Sequence, residues 1–241
     1  MPLLDDISQF LCTWQGRDKT IRTCSFGLGF ISGVFPTQQQ KLGAIQGQLS
    51  SCRVVLRLFG DLPVWLHCVD YGLGAKEKHP LMKVLGVINN VFDLLYFPIE
   101  HIAWLGDLRV VDVNSSKWWR LGIITWGLSL WTGIVRSLLM IYSMRLVRAK
   151  LIKQKKYGAL DGSEENMNRH LAELIHKERI EVLLLVQRIS DLLNAIHWMP
   201  EGFLWAQKLS KTWSGLFGLI SSSVMVYSAW INQQAAKTKS T

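Results

Sequence analysis

Apolar residues recur at helical spacing along much of this chain. Residues 37–70 carry an apolar stripe at three- and four-residue steps, which predicts an amphipathic helix. Gly43 and Gly47 each cost about 1 kcal/mol of helix propensity relative to Ala, so residues 50–62 form the better half. Pro63 is expected to bend or end the helix. The stripe consists of Leu42, Ile45, Leu49, Cys52, Leu56 and Phe59.

Two later stretches repeat this amphipathic pattern. Residues 81–105 and 170–197 each place apolar residues on one helical face, although Glu178 interrupts the second face. A Gly-rich apolar run, residues 24–35, is shorter than the roughly 20 residues that a bilayer-spanning helix needs. These stretches therefore predict helices without predicting membrane spans.

Two other stretches are long and apolar enough to cross a bilayer. Residues 121–144 contain one charge, Arg136, and follow an aromatic and basic string, Trp118-Trp119-Arg120, of the kind found at membrane interfaces. Residues 212–232 carry no charge. The sequence therefore predicts an all-α integral membrane protein with amphipathic helices and about two transmembrane helices.

This pattern divides the chain into five regions. They are an N-terminal helical region (1–120), a first transmembrane helix (121–144), a basic flank with a soluble loop near 158–168 and an amphipathic helix (145–211), a second transmembrane helix (212–232) and a short basic tail (233–241).

The charge balance favours anionic partners. The chain has 27 Lys and Arg against 18 Asp and Glu, a formal net charge of +9. Much of this charge adjoins apolar segments, and no zinc-finger or RNA-recognition motif occurs, so the expected partner is anionic lipid and not nucleic acid. The longest basic stretch, with no acidic residue between its members, comprises Arg145, Arg148, Lys150, Lys153, Lys155 and Lys156.

The helix over residues 50–62 is the leading functional candidate. Its apolar residues would form a membrane-inserting face, and Arg53 and Arg57 beside it would contact lipid headgroups. The same spacing fits an ordinary amphipathic helix on a protein core, and periodicity alone favours that interpretation. The inserting face would consist of Leu49, Cys52, Leu56 and Phe59.

Small residues predict close contacts between helices. Gly29 and Gly33 form a GxxxG step, and Gly215 and Gly218 would let a second helix approach the C-terminal span. The last five residues match a K-x-K-x-x pattern through Lys237 and Lys239, which coat proteins can bind, although a plain basic end explains them equally well.

Candidate catalytic chemistry is sparse. The six His residues are scattered, the four Cys residues form no CxxC pair, and no P-loop, GxSxG or HExxH motif occurs. We therefore expect no enzyme activity, no cofactor and no metal site, and we interpret the cysteines as free thiols.

Several strings, spread in order along the chain, resemble the gamma (C) type of the peroxisomal membrane protein 11 family. They are GRDK (16–19) with Arg22, SCR (51–53) leading into LRLF (56–59), YGLGA (71–75), EHIAW (100–104), SSKWW (115–119) and NAIHW (194–198). The EHIAW and SSKWW strings favour the gamma type over the alpha and beta types.

The resemblance implies a two-span protein of the peroxisomal membrane with both termini in the cytosol. It also implies a role in peroxisome elongation and proliferation before fission. Members of the family self-associate, pair with one another, and recruit a fission adaptor and a dynamin-like GTPase. The family's membrane-bending amphipathic helix maps onto residues 50–62.

The basic stretch 145–156 creates a conflict over topology. The positive-inside rule places it in the cytosol, whereas the family topology places it in the peroxisomal lumen; we follow the family here. The stretch also resembles a peroxisomal membrane-targeting signal. A metabolite channel or carrier is the alternative function, with Arg136 lining a pore formed by oligomers.

Overall fold

A computed structural model describes residues 2–77, 79–156 and 164–240, and every regular element in these ranges is helical. The prediction of an all-α membrane protein is confirmed. Eight α-helices follow one another: α1 (Pro2–Cys12), α2 (Trp14–Val34), α3 (Gln39–Arg57), α4 (Asp61–Tyr71), α5 (Pro80–Asp107), α6 (Ser115–Lys156), α7 (Glu164–His197) and α8 (Lys211–Ser240), with a short 3-10 turn at Pro36–Gln38 between α2 and α3.

The distribution of polar and apolar side chains is the reverse of that in a water-soluble protein. The largest fully buried side chains are all polar, whereas large apolar residues such as Trp131, Leu138 and Trp213 are more than half exposed. Exposed apolar surface on this scale is typical of a surface that faces a membrane or another protein. The buried set comprises Asp18, Ser32, Glu100, Ser137, Asp191, Asn194, Ser221 and Ser222.

Three helices within the described residues are long and apolar enough to cross a membrane. Two of them, α6 and α8, contain the predicted spans 121–144 and 212–232. The third, α5, is not predicted as a span from the sequence, because its polar positions give it the pattern of an amphipathic helix. Those positions, Asn90 and Glu100, face the interior, while Val84 and Leu95 face outward.

The predicted amphipathic helix over residues 50–62 is divided between two elements. Helix α3 ends at Arg57, and α4 begins at Asp61 after a turn that contains Gly60. The turn places Pro63 in the first helical turn of α4, where its missing N–H breaks no hydrogen bond. Gly60 packs against the ring of Phe97 on α5, so the chain turns here to lay α4 along α5.

The long helices α6 and α7 run antiparallel. Arg145, near the end of α6, donates to Glu178 in the first half of α7 at 2.7 Å. Gly133, earlier in α6, lies against Arg188 in the second half of α7. The soluble loop expected over residues 158–168 lies partly outside the described residues, and its last five positions form the start of α7 instead.

The basic end of α6 lies at the same end of the bundle as Asp6 of α1 and the end of α8. Asn194, in the last turn of α7, donates to the carbonyl of Ser214 in the first turn of α8, so α8 runs back along α7. Lys237, near the end of α8, bonds to Asp6 of α1 at 2.6 Å. Because α6 and α8 both run against α7, residues 145–156 point the same way as the end of α8. This arrangement differs from the predicted topology, in which two spans run in opposite directions.

Candidate functional site

Helix α4 presents an apolar face outward, away from the bundle. It carries Leu62, Trp65, Leu66 and Val69, each more than half exposed, and none of its residues is buried. On its inner side, Cys68 approaches the carbonyl oxygen of Asn90 on α5 at 3.8 Å. An 11-residue helix is about 17 Å long, so α4 is too short to cross a bilayer alone.

The predicted membrane-inserting face is only partly exposed. Phe59, in the turn between α3 and α4, is 83% exposed, and Cys52 is also exposed. Leu49 and Leu56 are half-buried. The exposed apolar surface therefore continues from Phe59 onto α4, and membrane insertion by the predicted set stays a prediction.

The two arginines beside that face point into the protein. Arg53 donates through Nε to Oδ1 of Asp18 at 3.0 Å, and Arg57 donates to Glu100. Both carboxylates are almost fully buried. Each guanidinium group thus has a protein partner in place of the predicted lipid headgroup, and headgroup contact by these residues stays a prediction.

Asp18 is the centre of a buried ion-pair cluster. Lys19 donates to its second oxygen at 2.9 Å, opposite Arg53. Burial would raise the pKa of Asp18, but Arg53 and Lys19 outweigh burial and hold the pKa below its usual value. Burial, together with repulsion from Arg22, lowers the pKa of Arg53 to about 10. The cluster therefore holds its positive charges in a strongly desolvated environment.

Arg22 extends this cluster to the C-terminal half of the chain. It donates to Asp191 of α7 at 2.5 Å and to Ser221 and Ser222 of α8, each at 3.1 Å. Its side chain is 9% exposed and that of Asp191 is 2% exposed. A single side chain of α2 thus holds α7 and α8 together in the interior.

A cavity of about 350 Å³ lies between these arginines and a set of aromatic side chains. Helices α2, α3, α5 and α6 and the residue after α7 form its walls. Trp126 stacks on Trp198 in its wall, with ring centres 5.9 Å apart. The most prominent lining residues are Arg22, Arg53, Arg57, Tyr96, Trp119 and Trp126.

The predicted packing glycines lie where helices approach closely. A Cβ at Gly215 would overlap the backbone of Phe30, and one at Gly33 would overlap the backbone of Thr212, so α2 and α8 are in direct backbone contact. A Cβ at Gly218 would overlap the ring of Phe26. The fourth glycine, Gly29, faces the side chain of Gln46 on α3.

The basic flank is partly neutralised within the protein. Arg145 and Arg148 both donate to Glu178, at 2.7 and 2.6 Å, while Lys150 and Lys153 are exposed. Lys155 donates to Asn168 at 2.8 Å. The side chains of Lys156 and Lys239 lie outside the described residues, and so does the last residue of the predicted coat-binding tail. The coat-binding role of that tail and the targeting role of the flank therefore stay predictions.

Arg136, the one charge in the first predicted span, is paired. It donates to Glu77 at 2.5 Å and lies over the ring of Tyr71, 5.5 Å from its centre. Deeper in the bundle, Ser129 donates to Asp93 at 2.5 Å and Thr132 donates to Asn89. Polar residues of adjacent helices therefore bond to one another along the interior.

The buried acceptors of this network were not predicted as site residues. The feature of the sequence that could have identified them is an acidic residue within an apolar segment, such as Glu100 in an otherwise uncharged stretch of α5. Asp18 and Arg22 share a helical face by their four-residue spacing. Isolated charges of this kind are functional candidates in membrane proteins, and they are the pattern that would have identified the cluster.

Comparison with known proteins identifies the family. The family model described as Peroxisomal biogenesis factor 11 (PEX11) matches residues 4–230. The chain is 35% identical to Peroxisomal membrane protein 11C of Homo sapiens over 236 residues, covering 95% of each chain. It is 37% identical to Peroxisomal membrane protein 11C of Mus musculus over 229 residues, covering 92% of each chain.

No solved structure matches the chain. The predicted resemblance is nevertheless confirmed at the level of sequence, because the family model spans nearly all of the chain and both relatives are of the C type. The chain therefore belongs to the peroxisomal biogenesis factor 11 family, whose relatives here are proteins of the peroxisomal membrane.

Proposed function

We propose that this protein promotes peroxisome elongation, proliferation and fission by inserting the corner between α3 and α4 into the membrane. The observation that carries the proposal is the outward apolar face that runs from Phe59 to Val69 on a helix too short to span. The long helices α5, α6 and α8 would anchor the chain beside it.

The length of α4 explains how insertion would bend a membrane. At about 17 Å, the helix fills roughly half of a hydrocarbon core about 30 Å thick. It therefore enlarges the cross-section of the protein over only part of the membrane depth. A protein with such a tapered cross-section favours curved membrane over flat membrane.

Tubulation of liposomes by the full-length protein tests this role. We expect Phe59→Glu with Trp65→Glu to reduce tubule number severalfold in electron micrographs, because two charges on this face oppose burial in hydrocarbon. The matched control is Gln40→Glu with Gln48→Glu, which adds the same charge at exposed polar positions of α3. Undiminished tubulation by the first variant would refute the mechanism.

Retention in the membrane must be measured in the same samples. All variants should resist extraction by alkaline carbonate, because the three long apolar helices do not depend on α4 for insertion. Clean extraction of the unmodified protein would mean that it has no membrane spans.

We further infer that residues 145–156 and both chain termini face the cytosol. The end of α6, Asp6 of α1 and the end of α8 lie at one end of the bundle, and that end carries the exposed Lys150 and Lys153. The positive-inside rule favours the cytosolic side for such an end. This orientation keeps the termini where the family resemblance places them and removes the conflict over the basic stretch.

The partners of the protein stay predictions of the family resemblance. They are anionic lipid headgroups, further copies of this chain, other members of the family, a fission adaptor and a dynamin-like GTPase. The cytosolic orientation inferred above would make the basic end of the bundle accessible to soluble partners.

A metabolite channel or carrier is the second candidate function. The observation that favours it is the line of bonded polar residues between α5, α6 and α7, which includes Asp93, Ser129 and Ser137. Conductance of the purified protein in a planar bilayer, lost on Arg136→Ala, would support this role. A sealed bilayer at high protein density would exclude it.

A further inference from the structure

The cavity beside the arginine cluster carries more positive than negative charge. Three arginines line it, Arg22, Arg53 and Arg57, against one carboxylate, that of Glu100. The other two carboxylates that pair with these arginines, those of Asp18 and Asp191, are not among the lining residues. The wall of the cavity is therefore rich in guanidinium groups, which suits an anionic ligand.

Several polar atoms at the cavity have no bond within the described part of the chain. Arg57 Nε is buried without a hydrogen-bond partner, and so is Glu100 Oε2. Arg53 uses only its Nε in the hydrogen bonds described, so its terminal nitrogens are available. Guanidinium groups match the oxygens of a phosphate in pairs, and a free carboxylate oxygen accepts a hydroxyl.

The position of the cavity favours a lipid over a soluble ion. Trp119 lies in the first turns of α6, within the aromatic string that begins a candidate span. Aromatic side chains of this kind lie at the depth of the headgroups. The volume of about 350 Å³ falls at the lower end of the range for small-molecule sites, and the aromatic walls suit an apolar portion next to the phosphate.

We propose that this cavity binds the phosphate ester of a phospholipid, with Arg53 and Arg57 as its main donors. Glu100 Oε2 accepts a hydroxyl of the headgroup, and the walls formed by Tyr96 and Trp126 contact the first part of the lipid chains. The site includes no residue of α4, so it does not depend on the insertion mechanism proposed above.

Titration of the full-length protein in detergent with dioctanoyl phosphatidylglycerol, whose headgroup carries a negative phosphodiester and free hydroxyls, tests the proposal, with tryptophan fluorescence as the readout. We expect saturable binding of one lipid per chain. Arg53→Gln with Arg57→Gln should raise the Kd roughly tenfold or more, because two charge-assisted contacts are lost. Lys41→Gln with Lys208→Gln removes the same charge at exposed positions outside the cavity and should change the Kd less than about twofold.

Two further ligands show whether the cavity prefers a phospholipid or a soluble phosphate ester. Dioctanoylglycerol, which lacks the phosphate, should not compete. Glycerol 3-phosphate, which lacks the acyl chains, should bind at least about tenfold more weakly because it leaves the aromatic walls uncovered. Equal binding of glycerol 3-phosphate would overturn the lipid assignment in favour of a soluble phosphate ester.

A second variant separates loss of lipid binding from loss of folding. Arg57→Gln with Glu100→Gln removes an ion pair as a unit and leaves no unpaired carboxylate. It should retain a cooperative thermal transition and still bind the lipid about tenfold more weakly. Unchanged affinity in this folded variant, or equal losses in the arginine and surface-lysine variants, would refute the site.

Discussion

Arg57 of α3 donates to Glu100 of α5, across 43 positions of sequence. Tyr96, one turn before Glu100, donates to the same carboxylate oxygen at 2.7 Å. Glu100 is 2% exposed, so these two donors are its main source of stabilisation in an apolar helix. The contact fixes the end of α3 at the turn that leads into α4.

Removing one partner of this pair should cost more than removing both. We expect Arg57→Leu to lower the free energy of unfolding by roughly 3 kcal/mol, because it leaves a buried carboxylate without its counter-charge. Arg57→Leu combined with Glu100→Leu should cost much less, since no buried charge is left. Thermal unfolding in detergent, analysed as a double-mutant cycle, measures the difference.

The exposed Lys41 of α3 provides the control for this cycle. Lys41→Leu should change the unfolding midpoint little, because surface charges contribute little to stability. Equal destabilisation by the single Arg57 variant and the double variant would show that the pair is not coupled.

The contact between α2 and α8 predicts a contrast between two glycines. Gly215→Ala should destabilise the protein by about 1–3 kcal/mol, because the new Cβ would overlap the backbone of Phe30, which cannot move aside alone. Gly47→Ala has open space around it and should stabilise α3 by up to about 1 kcal/mol. Opposite shifts of the unfolding midpoint are expected; equal shifts would contradict the close packing.

Helices α6 and α8 could be predicted as spans from the sequence because each contains a long apolar segment with at most one charge. Residues 121–144 and 212–232 meet the length and composition of a span without reference to any partner. Helix α5, with 28 residues, is also long enough to span, but Asn90 and Glu100 give it a polar side that indicates a water-facing surface in a soluble protein. In this bundle that side faces inward, so the sequence pattern alone did not identify α5 as a span.

The partners of Arg53 and Arg57 could not be predicted from local spacing. An arginine beside an apolar stripe fits both a lipid headgroup and a distant carboxylate. The carboxylates that bind them lie 35 and 43 positions away, on α2 and α5. Only the packing of three helices brings these charges together, and helical periodicity contains no information about that packing.

The ion pairs of Asp18 predict a dependence of stability on pH. Because the pKa of Asp18 is held below the usual 3.8, its contribution is fully present above that pH and is lost as the pH falls through the lowered pKa. Asp18→Asn should therefore be less stable than the unmodified protein at neutral pH, and the difference should shrink below pH 3.8. Unfolding midpoints across this pH range measure the effect.

Asp70, which pairs with Lys76 on the surface, is the matched control. Asp70→Asn should show little difference from the unmodified protein at any pH, because both side chains are 78% exposed. A difference for Asp18→Asn that stays constant through the acidic range would show that titration of Asp18 does not contribute.

The shared direction of α6 and α8 predicts which residues lie on the same side of the membrane. In a background without native cysteines, single cysteines replace Lys153, Ala235 and Val110, all of which are exposed. A membrane-impermeant maleimide should label positions 153 and 235 on intact peroxisomes, because both lie at the end that we assign to the cytosol. Position 110, in the connection between α5 and α6 at the opposite end, should be labelled only after permeabilisation. Labelling of position 235 but not position 153 on intact organelles would mean that the two spans run in opposite directions.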